Sequence, residues 1–274
     1  MKHLTVLLLT CLLFSFTHQT KSPFQIKKIE KSFSRISDNL LVNKYEVSNI
    51  DYRIFITDFS LSHTAAAIRN ILPDTSVWRQ PDNYNEPLVS FYFRNKAYDN
   101  YPVVGVTYDA AVEYCDWLTK KYNQEEKRKF EKVFFRLLTK QEWELAANGG
   151  DPSKVFTWGG PFLQNNRKCD LCNYRKTVAC YDSATKKNKE EAAVISADKE
   201  NRFYFTVERS SYFPSSFGMY NMCGNVAEMI QEKGLAKGGS YRDSAYDVRI
   251  ASERTYTSPT ADIGFRIAME ILEK

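Results

Sequence analysis

The chain has 274 residues, 43% of them hydrophobic and 26% charged, which is ordinary for a globular protein and enough for one sizeable core. The net charge of +5 is spread along the sequence without a basic block, which argues against a nucleic-acid-binding face. Histidine occurs only at His3, His18 and His63, so His-rich zinc sites are excluded, and a serine or cysteine nucleophile would have His63 as its sole base.

Met1-Lys2-His3 supplies a short positive start. Leu4 to Phe16, LTVLLLTCLLFSF, is an apolar run of signal-peptide length, too short to cross a bilayer comfortably as a helix. A secretory signal over residues 1–20 is therefore expected, with cleavage near Gln19 to Lys21. An exported protein follows from it: periplasmic, associated with the outer membrane, or extracellular. Leu8-Leu9-Thr10-Cys11 lacks the small residue that a lipidation box prefers before its cysteine, and a lipid anchor is not the favoured outcome. No other run of about 18 apolar residues exists, so an integral membrane protein is not expected.

Residues 21–41 are polar and basic and predict a linker or edge segment. Asn43 to Phe59 predicts a short strand and then a helix capped at Ser48 or Asn49. Ser60 to Leu72 predicts a second helix ended by Pro73. Residues 74–100 carry turns, prolines and aromatics, and predict loop. Val103 to Val106 predicts a short strand, after which Thr107 caps a helix. There Ala111, Cys115, Leu118 and Tyr122 recur on one face, which places Cys115 in the core. Thr139 and Glu142 form a capping box, and that helix should stop at Asn148-Gly149-Gly150, where glycine takes the left-handed conformation. The charged run 183–200 predicts a solvated surface loop or helix. From Phe203 onward, short runs broken by Gly, Pro and Ser predict loops and short strands.

Five cysteines follow the signal: Cys115, Cys169, Cys172, Cys180 and Cys223. Export permits disulfides, and the odd count leaves one thiol unpaired. The expected arrangement is a disulfide among Cys169, Cys172 and Cys180, with Cys115 and Cys223 buried. A zinc knuckle at Cys169 and Cys172 would need a second ligand pair, and none exists.

Several blocks occur together and in order: YPVVGVTYDAAVEYCDWL, LLTKQEWELAANGG, FTWGG, SSFGMYNMCGNVAEM, KGGSYRD and IGFRIA. Together they resemble the formylglycine-generating enzyme family, also called the sulfatase-modifying factor domain, over residues 42–272. The resemblance implies an α+β, compact, loop-rich domain related to the C-type-lectin fold, with few short strands and helices. A narrower block, LPDTSVWRQPDNYNEPLVSFYFRNKAYDNYPVVGV, resembles the branch found in gliding-motility and type IX secretion lipoproteins of Bacteroidetes-like bacteria.

Enzymes of the family oxidise a cysteine of a target sulfatase to formylglycine, using copper held by two thiolates just after the GGS motif. Thiolates suit that role because Cu(I) is soft. Here the segment reads Gly238-Gly239-Ser240-Tyr241-Arg242-Asp243-Ser244-Ala245-Tyr246-Asp247, and no thiol follows Cys223. The carboxylates of Asp243 and Asp247 are hard donors and do not replace the pair, so copper is not expected. By the same resemblance Asn221, Gly224, Val226 and Glu228 form a calcium loop of oxygen donors. The alternative is a tight turn whose Glu228 pairs with an arginine such as Arg254 or Arg266. A second calcium site would use Asn173, Tyr174, Asn201 and Phe203, with Asn201 where the family usually has aspartate. The usual tryptophan after Glu228 is Met229. Arg249, Arg254 and Arg266 are expected to brace loops through carboxylates.

Three functions are compatible with this reading. The first is a non-catalytic exported interaction or assembly module with protein partners in the cell envelope, of the kind linked to gliding motility or type IX secretion. The second is an oxidase of protein cysteine. The third is a lectin-like module, with Trp78, Tyr84, Phe91 and Tyr92 as a stacking platform.

Overall fold

Strand β10 (Ile267–Glu273) organises the molecule, because its two faces belong to different cores. In the computed structural model, which describes residues 25–79, 84–182, 187–192 and 205–274, β10 lies between β2 (Leu40–Asn43) and β3 (Lys132–Leu137), antiparallel to both. β1 (Phe33–Arg35) completes this sheet on the far side of β2, giving the order β1-β2-β10-β3. Side chains alternate across a strand, so Ile267, Met269 and Ile271 enter one core and Ala268 the other. Leu41 and the pair Leu40 and Val42 divide in the same way on β2.

The larger core is closed by α2 (Asn49–Phe59) and α5 (Tyr108–Gln124). Ser48 caps α2 in a full capping box with Asp51, which settles the cap between the two expected residues. Thr107 caps α5, and Ala111, Cys115, Leu118 and Tyr122 are all buried, as their spacing predicts. The second core lies under α6 (Lys140–Asn148), which begins at the Thr139–Glu142 capping box and ends at Gly149 in the left-handed conformation. A second sheet is formed by β6 (Ala227–Met229), β7 (Leu235–Lys237), β8 (Glu253–Thr255) and β9 (Ile263–Phe265). Its order is β8-β7-β6-β9, with β6 and β9 parallel. The result is the expected α+β architecture of short helices and small sheets.

Several segments differ from expectation. Residues 21–41, expected as a linker or edge segment, are in part the latter: α1 (Ile26–Lys31) leads into β1 at the sheet edge and then the start of β2, with Ile26 and Phe33 buried in the larger core rather than in a linker. Residues 74–100 are not loop throughout: a 3-10 turn (Thr75–Trp78), α4 (Glu86–Phe91) and another 3-10 turn (Lys96–Tyr98) lie there. Asp74 and Asn95 nucleate the two turns by accepting amides two residues on. The second helix is the shorter α3 (Ala65–Ile71), capped by Thr64. Val103 to Val106 joins no strand; Val103 N bonds Val47 O and Gly105 N bonds Thr260 O, so its amides are spent on two different segments. Lys187–Ala192, within the charged run, is β5, paired in a hairpin with β4 (Thr177–Asp182). Among the described residues, no helix is long and apolar enough to cross a membrane. The expected signal, residues 1–20, lies outside them.

Candidate functional site

The loop Asn221–Glu228 is buried along its length as it leads into β6. It turns through left-handed backbone at Asn221 (φ 54°), Gly224 (φ 79°) and Asn225 (φ 68°). Asparagine tolerates that conformation better than other residues with a side chain. At Gly224 a Cβ would lie 2.3 Å from the Asn173 carbonyl oxygen, so only glycine fits. The two turned asparagines converge on one acid: Asn221 Nδ2 donates to Glu46 Oε2 (3.1 Å) and Asn225 Nδ2 to Glu46 Oε1 (2.8 Å). Glu46 is fully buried. Burial pushes its carboxyl up to about 8; the Arg266 charge opposes the shift and the Glu228 charge adds to it. The sequence reading missed Glu46 because its partners lie far along the chain.

Glu228 is held differently. Arg266 Nε lies 3.1 and 3.0 Å from its two oxygens, Arg266 Nη2 2.6 Å from Oε1, and Trp143 Nε1 donates to Oε2 at 2.7 Å. The guanidinium also donates to the carbonyls of Asn43 (2.9 Å) and Tyr220 (2.7 Å). Arg266, Glu228 and Trp143 are all buried. Beside them Lys237, also buried, sits 5.6 Å from the Trp143 ring centre and bonds Glu144 at 2.8 Å.

Of the four calcium-loop residues, Asn221 offers a buried Oδ1 without a hydrogen-bond partner, a donor suited to a hard cation. Glu228 does not fit, because Arg266 and Trp143 occupy both its oxygens; this is the arginine-paired alternative expected for it. Calcium at millimolar concentration should therefore move the unfolding temperature by less than about 2 °C relative to chelator; a rise of several degrees would place a cation at this loop. At the second set, Asn173 turns its Nδ2 toward Phe205 O (2.9 Å) and Asn225 Oδ1 (3.4 Å). Asn201 and Phe203 lie outside the described residues.

The GGS segment leaves β7 and is fastened by its own carboxylates. Asp243 Oδ2 accepts from Ser240 N (2.8 Å), Ser240 Oγ (2.7 Å) and Arg254 Nη1 (3.3 Å). Asp247 Oδ2 accepts from Ser244 Oγ (2.7 Å) and Ser244 N (3.3 Å). Arg254 also donates to Asp262 (2.6 Å); burial pushes the Asp262 carboxyl up, but Arg254 outweighs it and holds the group below the usual carboxylate range. Each carboxylate thus locks a turn or anchors an arginine. The donor set does not fit Cu(I), since oxygen stands where sulfur is needed. Cys223 is buried in the second core, where burial pushes its thiol up to about 12, and Cys115 is raised further. Neither is a ready thiolate. Among the described residues, no group of three His, Cys, Asp or Glu side chains is gathered to hold a metal.

The model of the sulfatase-modifying factor enzyme 1-like domain matches residues 20–271. The chain belongs to that family. The mouse formylglycine-generating enzyme is 24% identical over 310 residues, covering 94% of this chain and 73% of the mouse protein. The cattle inactive C-alpha-formylglycine-generating enzyme 2 is 26% identical over 212 residues, covering 71% of this chain and 56% of that protein. Among solved structures, Treponema denticola variable protein 1 superposes with a TM-score of 0.52 at 15% identity, covering 87% of this chain and 91% of that one. PvdO from Pseudomonas aeruginosa also gives 0.52, at 19% identity, covering 84% and 80%. These two support the fold alone.

The remaining expected residues of this sulfatase-modifying factor-like domain divide by burial. Trp78 and Tyr92 are buried against each other with ring centres 4.6 Å apart, whereas Tyr84 and Phe91 are exposed, so the four do not form one stacking platform. Arg249 lies over the Tyr246 ring and bonds its carbonyl (2.8 Å), and with Arg254 and Arg266 it braces loops as expected, though only the latter two do so through carboxylates. Of the three cysteines among which a disulfide was expected, Cys169 is exposed and Cys172 buried, and both are free; the Cys180 side chain lies outside the described residues.

Proposed function

We propose that this protein is a non-catalytic member of the family: an exported interaction or assembly module of the cell envelope that does not oxidise protein cysteine. The observation that carries the reading is that the segment after GGS holds no thiol, and its carboxylates Asp243 and Asp247 are already used to hold the segment shut. A rigid loop-rich scaffold with that segment fastened is suited to present a surface. The family tolerates such loss of chemistry, since one matched relative is itself called inactive. The apolar run at Leu4 to Phe16 supports export, and the block from Leu72 to Val106 supports a link to gliding-motility or type IX secretion assemblies.

The test is direct. Protein loaded anaerobically with Cu(I) and then given oxygen and a cysteine-containing sulfatase peptide should leave the peptide mass unchanged. Conversion of the cysteine to formylglycine, together with Cu(I) retention against a soft competing chelator, would overturn the reading.

A further inference from the structure

Among the described residues, six buried side-chain atoms have no hydrogen-bond partner, and three of them belong to the GGS segment and the loop before β9: Arg242 Nη2, Thr260 Oγ1 and Asp262 Oδ1. The contacts around these three bring them to one place. Ser240 Oγ accepts from Arg242 N (3.1 Å) and lies 3.3 Å from Asp262 Oδ2. The Tyr241 hydroxyl reaches the carbonyl of Ala261 (3.4 Å), which sits between Thr260 and Asp262, and the Arg242 guanidinium lies 5.3 Å from the Tyr241 ring centre. Burial raises the Asp262 carboxyl, whereas Arg254, Thr260 and Arg242 lower it, so the last two lie near it. Thr260 Oγ1 is thus close enough to act on the carboxyl without making a well-formed hydrogen bond to it.

A buried polar atom without a partner is costly, and three in one place call for a common one. Asp262 is 1% exposed; its Oδ2 is taken by Arg254 Nη1 (2.6 Å), which leaves Oδ1 as the open acceptor. The three atoms differ in kind: a carboxylate oxygen accepts, a guanidinium nitrogen donates, and a hydroxyl does either. Their partner must therefore donate and accept at once. Charge selects further. The guanidiniums of Arg242 and Arg254 stand against the carboxylates of Asp243 and Asp262, so the site as a whole attracts neither a cation nor an anion. Size selects last. All three atoms are closed off from solvent, so a larger organic molecule has no way in while the segment is fastened. A buried water makes about three hydrogen bonds to such groups.

We propose that one water molecule is bound here as a fixed part of the fold. It accepts from Arg242 Nη2 and donates its two hydrogens to Asp262 Oδ1 and Thr260 Oγ1. The bridge ties the segment after GGS to residues 260–262 through Arg242, a side chain that makes no other tie to that loop. It adds to the direct fastening by Asp243 and Arg254 and does not depend on whether the protein is catalytic.

A crystal structure at a resolution that shows ordered water tests this on the full chain. One peak should lie about 2.7–3.2 Å from all three atoms, without anomalous signal in the presence of bromide or of manganese. The double variant Thr260→Val with Arg242→Met leaves only Asp262 Oδ1, and the peak should vanish while the Ser240–Asp243 and Arg254–Asp262 bonds stay. Magnetic relaxation dispersion of oxygen-labelled water reads the same site in solution: the number of long-lived internal waters should fall by one in the double variant. Direct pairing of the three atoms with one another, a peak that proves to be an ion, or an equal count of internal waters in the two proteins would overturn the proposal. Should the double variant fail to fold, the peak or its absence in the unaltered protein decides alone.

Discussion

Replacing Arg266 with alanine should destabilise the fold by about 3–5 kcal/mol, the typical cost of breaking a buried ion pair from one side. The side chain is fully buried, so its removal opens a polar cavity in the interior. Its removal leaves Glu228 charged in the interior with only Trp143 to stabilise it, and strips the carbonyls of Asn43 and Tyr220 of their donors. These contacts join β2, β9 and β6 and the loop before Asn221, so the damage is shared between both cores. The double variant Arg266→Met with Glu228→Gln should recover part of the loss, because it removes both charges together. Urea unfolding midpoints measure both. A cost below about 1 kcal/mol for Arg266→Ala would show that the pair does not stabilise the junction.

The second large effect is a pH dependence centred on Glu46. Its carboxyl is raised in the folded state from an ordinary 4.5 to about 8, with burial as the first cause. For a raised folded value the sign is fixed: the stabilising contribution is complete below about 4.5 and is lost as pH climbs through about 8. The folded protein should therefore lose a few kcal/mol from this group between pH 5 and pH 8.5. Glu46→Gln cannot ionise, and its stability should vary less over the same interval, although one amide hydrogen then faces an asparagine donor and lowers the starting value. Parallel pH profiles for the two proteins would remove Glu46 as the cause.

Much of the helical framework was legible in the sequence, because helix starts carry local chemistry. Ser48, Thr107, Thr139 and Gly149 each signal a boundary through a side chain or a backbone conformation a few residues away. The six blocks likewise carried the family and its α+β fold. Residues 21–41 were opaque because β1 and β2 acquire their meaning from β10, a partner that no local pattern announces. The 3-10 turns near Thr75 and Lys96 are too short to show a periodicity. In the candidate site, the Asp residues after GGS were visible as the wrong donors, but their use as turn locks was not. Glu46 sits among Lys44, Tyr45, Val47 and Ser48, a mixed stretch that does not single it out; its convergence with Asn221 and Asn225 required the two left-handed asparagines to be seen in place.

The placement of β10 between β2 and β3 has a consequence for biogenesis. Neither neighbour can reach the other, so a nascent chain that has emerged only as far as α6 carries two open strand edges with nothing to zip them. Closure waits on a segment translated much later, which is the situation that slows folding and exposes edges to wrong partners. A polypeptide built this way is a natural client for holding chaperones until its final sheet strand has been made.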